Sequence, residues 1–306
     1  MSTTINTALP KDLAGYANNP PIYWLSATAD VISKDDDHLN PSWRGMVRVK
    51  DPSEPCLQMA LKYLGESSIK ISIELACGLA AIALKLSVPR PALVVCERGD
   101  LPELPHSAKG ERVLVFGSQL VPEDTFMATF RKNDVAAAEY VWNKVCEDQV
   151  GKQGAAWDEL IANSDRHHIN LIFDGKWWLF DHDKAIPTAA KTAKLATTSI
   201  KNEFPDFILK LNQLALQMLK RHPADHAIDS QVKEFEKQKT RLIGLDHCVS
   251  TWAKENVDTR LKGIFEDTAF IINLIASRLP ALALHISNRI GTQKDGGSLW
   301  TSHNQN

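Results

Sequence analysis

The sequence predicts an α+β chain of two lobes, a small mixed lobe followed by a larger, mainly helical one. Three observations carry that prediction. Strand-like apolar runs gather in residues 41–121 around one strongly apolar helical segment. From Pro122 onward the apolar spacing turns helical. One interruption of that helical half, residues 163–183, reads as a β-hairpin flanked by polar side chains. The chain has 306 residues, 44% of them hydrophobic, enough to bury a large core and to form two lobes.

Residues 1–40 read as an irregular N-terminal arm, in which Asp35-Asp36-Asp37 is a solvated loop. Residues 41–121 make the first lobe. Trp43 and Val47-Arg48-Val49 are strand residues, and residues 56–64 form a strand with Lys62 near its end and Gly65 as its breaker. Ser67 or Ser68 caps a helix running to about Leu86, with Glu74 in its first turns and an apolar remainder. Val88-Pro89 closes that helix, residues 92–96 resume as a strand, and the loop 99–110 leads to a further strand at residues 112–121. Residues 122–306 make the second lobe. Residues 134–148 begin with Asp134 as an N-cap and place Val135, Ala138, Val141, Trp142 and Val145 along one face. Residues 157–161 form a short helix ahead of the hairpin. Residues 204–221, 228–245 and 257–290 are long helical stretches broken near Pro223 and at Pro280.

The chemistry concentrates in NSDRHHINLIFDGKWWLFDHD, residues 163–183. Leu171-Ile172-Phe173, the turn Asp174-Gly175 and Trp177-Trp178-Leu179-Phe180 alternate as a hairpin does. Such a hairpin carries Asn170 to one end of its first strand and Asp181 to the far end of its second, and those ends meet. Asp165, five residues before Asn170, is drawn into the same volume. Oxygen-only ligands held this way suit a hard ion such as Mg2+, which keeps several waters and takes its other ligands from substrate phosphates. Asn170 and Asp181 are the expected metal ligands, and Asp165 is placed to accept a proton. Asp181 is preferred over Asp183 because it directly follows the strand. A base Asp, an Asn and a further Asp that share a nucleophile and two metal ions are the catalytic half of a kinase site.

A kinase also needs a strand lysine for the phosphates and a helix glutamate to hold it. Lys62 and Glu74 supply both, because a lone carboxylate in so apolar a helix requires a cationic partner. The strand at 112–121 then leads to the hinge, with backbone groups around Phe116, Ser118 and Gln119 meeting the adenine edge. A glycine-rich phosphate loop is expected between the first two strands, yet the sequence contains no G-x-G-x-x-G, and residues 38–46 offer only Gly45. Asp181-His182-Asp183 stands where a kinase has Asp-Phe-Gly.

Asp165-Arg166-His167-His168-Ile169-Asn170, followed by Phe180-Asp181-His182-Asp183, resembles the catalytic and metal-binding loops of HipA-like and phosphatidylinositol-kinase-like proteins. Their pattern is D-x-H-x-x-N and then an acidic residue after a strand. The passage from Glu74 to Val88-Pro89 is similar to HipA-like proteins as well. The resemblance implies a bilobal protein-kinase-like fold, ATP and Mg2+ as cofactors, and His167 as a buried residue that shapes the loop. It further implies a serine/threonine protein kinase, toxin-like or autophosphorylating, with an antitoxin-like or regulatory protein partner. The phosphatidylinositol-kinase side of the resemblance allows a lipid or small-molecule hydroxyl acceptor in place of a protein substrate. Thr197-Thr198-Ser199 is a candidate autophosphorylation cluster.

Composition narrows the alternatives. A net charge of −2 gives no basic balance for nucleic-acid binding. Five scattered cysteines without C-x-x-C read as reduced thiols of a cytoplasmic protein, with Cys77 and Cys96 in the core. The amino terminus has no basic head before an apolar run, so no secretory signal is expected. Residues 270–286 contain Arg278, Pro280 and His285 and read as a buried helix rather than a membrane span. No basic cluster or amphipathic anchor speaks for a lipid surface. Two other function classes remain. One is a degenerate kinase fold that binds a nucleotide or partner without chemistry. The other is a phosphohydrolase with a transition metal on His167, His168 and His182.

Overall fold

Among the described residues six strands and one long α-helix precede residue 120, and helices dominate after it. The computed structural model describes residues 16, 19–32, 40–49, 55–65, 68–124, 135–187, 195, 212–222 and 226–287. The strands are β1 (Ile22–Leu25), β2 (Asp30–Val31), β3 (Ser42–Arg48), β4 (Leu57–Lys62), β5 (Pro91–Glu97) and β6 (Arg112–Gln119). Their order is β1-β5-β6-β4-β3-β2, and β1 pairs with β3 as well, so five strands close into a ring with β2 hanging on β3. Only β1 and β5 run parallel; the other pairings are antiparallel. Closure leaves few exposed strand edges.

Alternation decides what fills the ring. In β3, Trp43, Gly45 and Val47 are buried while the residues between them are exposed. They meet Met59 and Leu61 of β4, Val94 and Cys96 of β5, and Val113 and Val115 of β6 in one apolar cluster. Two inward positions are glycines because nothing larger fits. A Cβ on Gly117 would sit 2.7 Å from a methyl of Val94, and one on Gly45 would sit 2.7 Å from a methyl of Leu25. Gly45 is therefore a packing residue inside a strand, not part of a phosphate loop.

The outward face of the sheet is covered by α1 (Ser68–Ala83), which is buried nearly all round, as a helix apolar on every side must be. It packs on β5 and β6 with one side and on α7 (Thr259–Arg278) with the other. The remaining helices are α2 (Val135–Glu147), α3 (Gln149–Ile161), α4 (Gln213–Arg221), α5 (His226–Lys237) and α6 (Lys239–Glu255). Among the described residues the fold is thus mixed α/β, with seven α-helices and a β-rich N-terminal region. One apolar cluster runs from Leu93, Leu114 and Phe116 of the sheet, through α1, into the helices. Arg241 of α6 donates to Ala83 O at the end of α1, where a cation meets the negative end of the helix.

Several expectations are revised. Residues 1–40 are not wholly irregular: β1 and β2 lie there, and β1 closes the ring. β1 escapes detection because Ile22-Tyr23-Trp24-Leu25 is four half-buried residues without alternation. The stretch 228–245 is two helices with a break at Gln238, and α6 continues to Glu255. The helix before the hairpin has 13 residues and starts at Gln149, capped by Asp148, whose side chain accepts from Val150 N. α7 is long and apolar enough to cross a membrane by length and composition. It nevertheless buries Asp267 and Arg278 and packs against α1 and α6. Cys77, Cys96, Cys146 and Cys248 are buried free thiols and Cys56 is an exposed one. Asp35-Asp36-Asp37, Ser67, Asp134, Thr197-Thr198-Ser199, residues 204–211 and Pro223 lie outside the described residues.

The ring interior gives a direct stability test. Gly117→Ala should destabilise the protein by about 1–3 kcal/mol through overpacking. Gly263, in α7 with nothing within 4 Å of an added Cβ, should tolerate Ala with a gain of about 0.5–1 kcal/mol. Urea midpoints of the two variants, moving in opposite directions, check both.

Candidate active site

Lys62 ends β4 on the face opposite Met59 and Leu61, so its side chain leaves the ring and points toward α1. Its ammonium lies 3.5 Å from Glu74 Oε1, 2.7 Å from Asp181 Oδ1 and 3.1 Å from Asp183 Oδ2. Glu74 is 2% exposed, and its second oxygen accepts from the backbone N–H of His182 at 3.0 Å. A strand, a helix and the segment after the hairpin thus meet on one ammonium. Burial works against that charge, but Glu74, Asp181 and Asp183 outweigh it and hold the lysine above its ordinary range. Burial pushes the Glu74 carboxyl up, to about 8, against the pull of Lys62. Burial also opposes ionisation of Asp181, yet Lys62 prevails and holds that carboxyl down at about 2.

The hairpin forms as its sequence predicts. β7 (Leu171–Phe173) and β8 (Trp177–Leu179) pair antiparallel, Leu171 opposite Leu179, around a loop of Asp174, Gly175 and Lys176. Phe180 N donates to Asn170 O at 3.4 Å, which sets Asn170 beside the residue that precedes Asp181. Asp165 and Asn170 are tied directly, Asn170 Nδ2 donating to Asp165 O at 2.9 Å. Asp165 N in turn donates to Asn163 Oδ1 at 3.1 Å. The backbone of Asp165 is pinned from both sides, while no hydrogen bond reaches its carboxylate among the described residues.

Asp183 departs from expectation. The chain is not extended at Asp181, whose φ of +61° is in the left-handed region. Asp181 and Asp183 both reach Lys62, and Asp183 also accepts from Asn40 Nδ2 at 3.2 Å, just ahead of β3. Sequence spacing alone cannot reveal a single left-handed residue.

The sequence reading missed a buried network beneath the loop. Arg166 is 0% exposed and forks onto Asp158 of α3, through Nε to Oδ2 and Nη2 to Oδ1, both 3.1 Å. Nη1 donates to Asn170 O at 3.2 Å and to Phe180 O. Asn163 and Asn212 donate to the same carboxylate at 3.2 and 3.0 Å. Burial raises the Asp158 carboxyl while Arg166 and the two amides oppose the rise. Arg166, not His167, is the fully buried residue that shapes the loop; His167 is half-buried. Asp158 sits beside Glu159 among Ala155, Ala156, Trp157, Leu160 and Ile161, and two adjacent carboxylates do not reveal which one is buried.

Phe116 and Ser118 do not offer an open backbone edge. At these positions β6 is paired on both sides, Phe116 with Lys62 and Leu93, Ser118 with Ala60 and Pro91. A base edge would have to meet the chain beyond Gln119, where Asp124 N donates to Phe173 O at 2.8 Å and brings the segment against the hairpin. The histidines are engaged in packing. The His182 ring lies edge-on to Trp157 at 6.2 Å and the His168 ring edge-on to Trp142 at 6.3 Å. Burial and the nearby Arg166 charge push the His182 imidazole well below its usual range. Among the described residues no three His, Cys, Asp or Glu side chains form a ready metal cage.

The residues fit a hard divalent cation bound with substrate. Three carboxylates face one ammonium, so the cluster carries excess negative charge. The amide nitrogen of Asn170 is committed to Asp165 O, leaving its oxygen as the coordinating end. Asn170 and Asp181 would hold the ion through oxygen alone.

Glu74 gives the pH test. A group whose pKa is raised on folding stabilises the fold fully below its unfolded value, near 4.3, and loses that contribution as pH rises through the folded value. The melting temperature of the wild type should therefore fall relative to Glu74→Gln between about pH 4 and the folded value of about 8. Asp181 works in the opposite sense: its contribution is present above about pH 4 and is lost as pH falls toward about 2. A difference between wild type and Glu74→Gln that is flat across pH would contradict this electrostatic picture.

No family model matches the chain, and no curated protein matches it in sequence. Among solved structures it is similar to the crystal structure of CtkA, a proinflammatory kinase of Helicobacter pylori. That match has a TM-score of 0.46 and 11% identity, over 85% of this chain and 98% of the other. Likeness at that level carries no argument, and the functional reading rests on the side chains.

Proposed function

We propose that this chain is an ATP-dependent phosphotransferase with a HipA-like, bilobal kinase plan, acting on serine or threonine hydroxyls of a protein. The observation that supports the reading most is the junction on Lys62: a strand lysine held by a helix glutamate and facing Asp181 at the open end of the hairpin. That is the arrangement phosphoryl transfer requires, since its catalysis is mostly positioning and charge stabilisation. A small-molecule hydroxyl remains the second acceptor class, and a regulatory or antitoxin-like protein is the partner the reading entails.

In this mechanism Lys62 exchanges its contacts with Asp181 and Asp183 for nucleotide phosphate oxygens, while Glu74 keeps the ammonium on station. Asn170 and Asp181 would hold Mg2+, which would supply neutralisation of the phosphate charge. Asp165, with its backbone pinned and its carboxylate free of hydrogen bonds among the described residues, accepts the proton of the acceptor hydroxyl. The hydroxyl oxygen bonds to the γ-phosphorus, the bond from that phosphorus to the bridging oxygen breaks, and ADP leaves. The binding segment for adenine lies after Gln119, where the chain leaves β6.

Thermal shift with Mg2+ and a non-hydrolysable ATP analogue tests the binding half. The analogue should raise the melting temperature by mass action, and Lys62→Ala should weaken that shift by removing charge-assisted contacts. Asp165→Asn should keep the shift but lower phosphoryl transfer by about a hundredfold or more. Asp181→Asn should lose Mg2+-dependent binding and turnover together. A wild-type melting curve unmoved by millimolar nucleotide, or full transfer by Asp165→Asn, would overturn the assignment.

A further inference from the structure

The guanidinium of Arg166 bridges the two segments that carry the candidate metal ligands. One side is clamped by the two oxygens of Asp158, and Nη1 donates to the carbonyls of Asn170 and Phe180. Asn170 closes the catalytic loop and Phe180 immediately precedes Asp181. A planar, rigid donor set cannot move toward one carbonyl without releasing the other or its fork on Asp158. Asp158 is itself anchored by Asn163 and by Asn212, the N-cap of α4, whose side chain also accepts from Ala215 N at 2.8 Å. The chain of contacts therefore runs from α3 and α4 to the backbones of both ligand segments.

We propose that Arg166 is a positioning residue that fixes the spacing between Asn170 and Asp181, so that the oxygen ligands of a divalent cation are assembled before the cation binds. The inference rests on the metal assignment made under the proposed function. Arg166 touches neither nucleotide nor cation and acts only through the two carbonyls. An ordinary buried ion pair would affect stability alone. A positioning role affects metal affinity, because partners behind the ligands typically change it by about 10–100-fold when removed.

The test is Mn2+ binding in the presence of a non-hydrolysable ATP analogue, read from the electron paramagnetic resonance signal of free Mn2+. Arg166→Lys keeps the charge but cannot fork onto Asp158 while spanning two carbonyls. It should bind Mn2+ about 10–100-fold more weakly, and raised Mn2+ should restore its turnover. Asn212→Ser keeps a helix-capping oxygen but deletes the amide donation to Asp158, and should show a smaller loss in the same direction. Wild-type Mn2+ affinity in Arg166→Lys, whatever its melting temperature, overturns the inference and leaves the kinase reading intact. If Arg166→Lys does not fold, Asn212→Ser decides, and affinity within about twofold of wild type overturns the inference. Absence of Mn2+ binding by the wild type removes both the metal assignment and the inference built on it.

Discussion

The contact of Lys62 with Glu74, Asp181 and Asp183 holds together parts of the chain that the sequence keeps far apart. Lys62 is the last residue of a strand in the closed ring, Glu74 belongs to the helix that covers the ring, and the two aspartates follow the hairpin in the helical half. The fold needs this ammonium as much as any activity does. Glu74 is buried inside an apolar helix, and removing the partner of a buried charge costs about 3–5 kcal/mol. Through α1 the same helix joins the apolar core of the sheet to that of α6 and α7. The polar junction therefore sits on a hydrophobic one, and the second fixes the geometry of the first.

This junction is not electrostatically complete. One cation faces three carboxylates, Asp181 is held ionised and Glu74 is pushed toward neutrality. Such divergence among neighbouring carboxyls is a mark of functional sites. A divalent cation would offset the excess charge, and nucleotide phosphates would give Lys62 an alternative to Asp181 and Asp183. Beneath the junction, Arg166 and Asp158 form a second ion pair, fully buried and satisfied by amides and carbonyls. The upper pair is open to exchange and the lower one is rigid. A site that must accept a charged ligand without losing its shape requires both.

The hairpin was legible because Asp174-Gly175 between an apolar triplet and an aromatic run has few other readings. Lys62 and Glu74 were legible because a single carboxylate in an apolar helix demands a partner. The Arg166 network stayed hidden because Asp158 is followed by Glu159, and Asp158 and Arg166 lie eight apart with no familiar spacing. Asp183 was passed over because Asp181 alone directly follows the strand, yet both carboxylates reach Lys62. At Phe116 and Ser118 spacing does not reveal whether a strand's edge is free or covered, because topology decides it, and β6 is interior to the sheet. β1 was lost to brevity. Local chemistry was thus readable wherever a residue contradicted its surroundings, and unreadable wherever the decision lay in chain path.

The most direct test of the central claim is ADP formation from Mg-ATP by the purified 306-residue chain, with intact-mass readout of the protein and Asp165→Asn as the blank. The account predicts ADP accumulating in the wild type alone, matched by phosphate on the protein or on a supplied hydroxyl acceptor. ADP formed at equal rates by wild type and Asp165→Asn, or none above background in either, would contradict it.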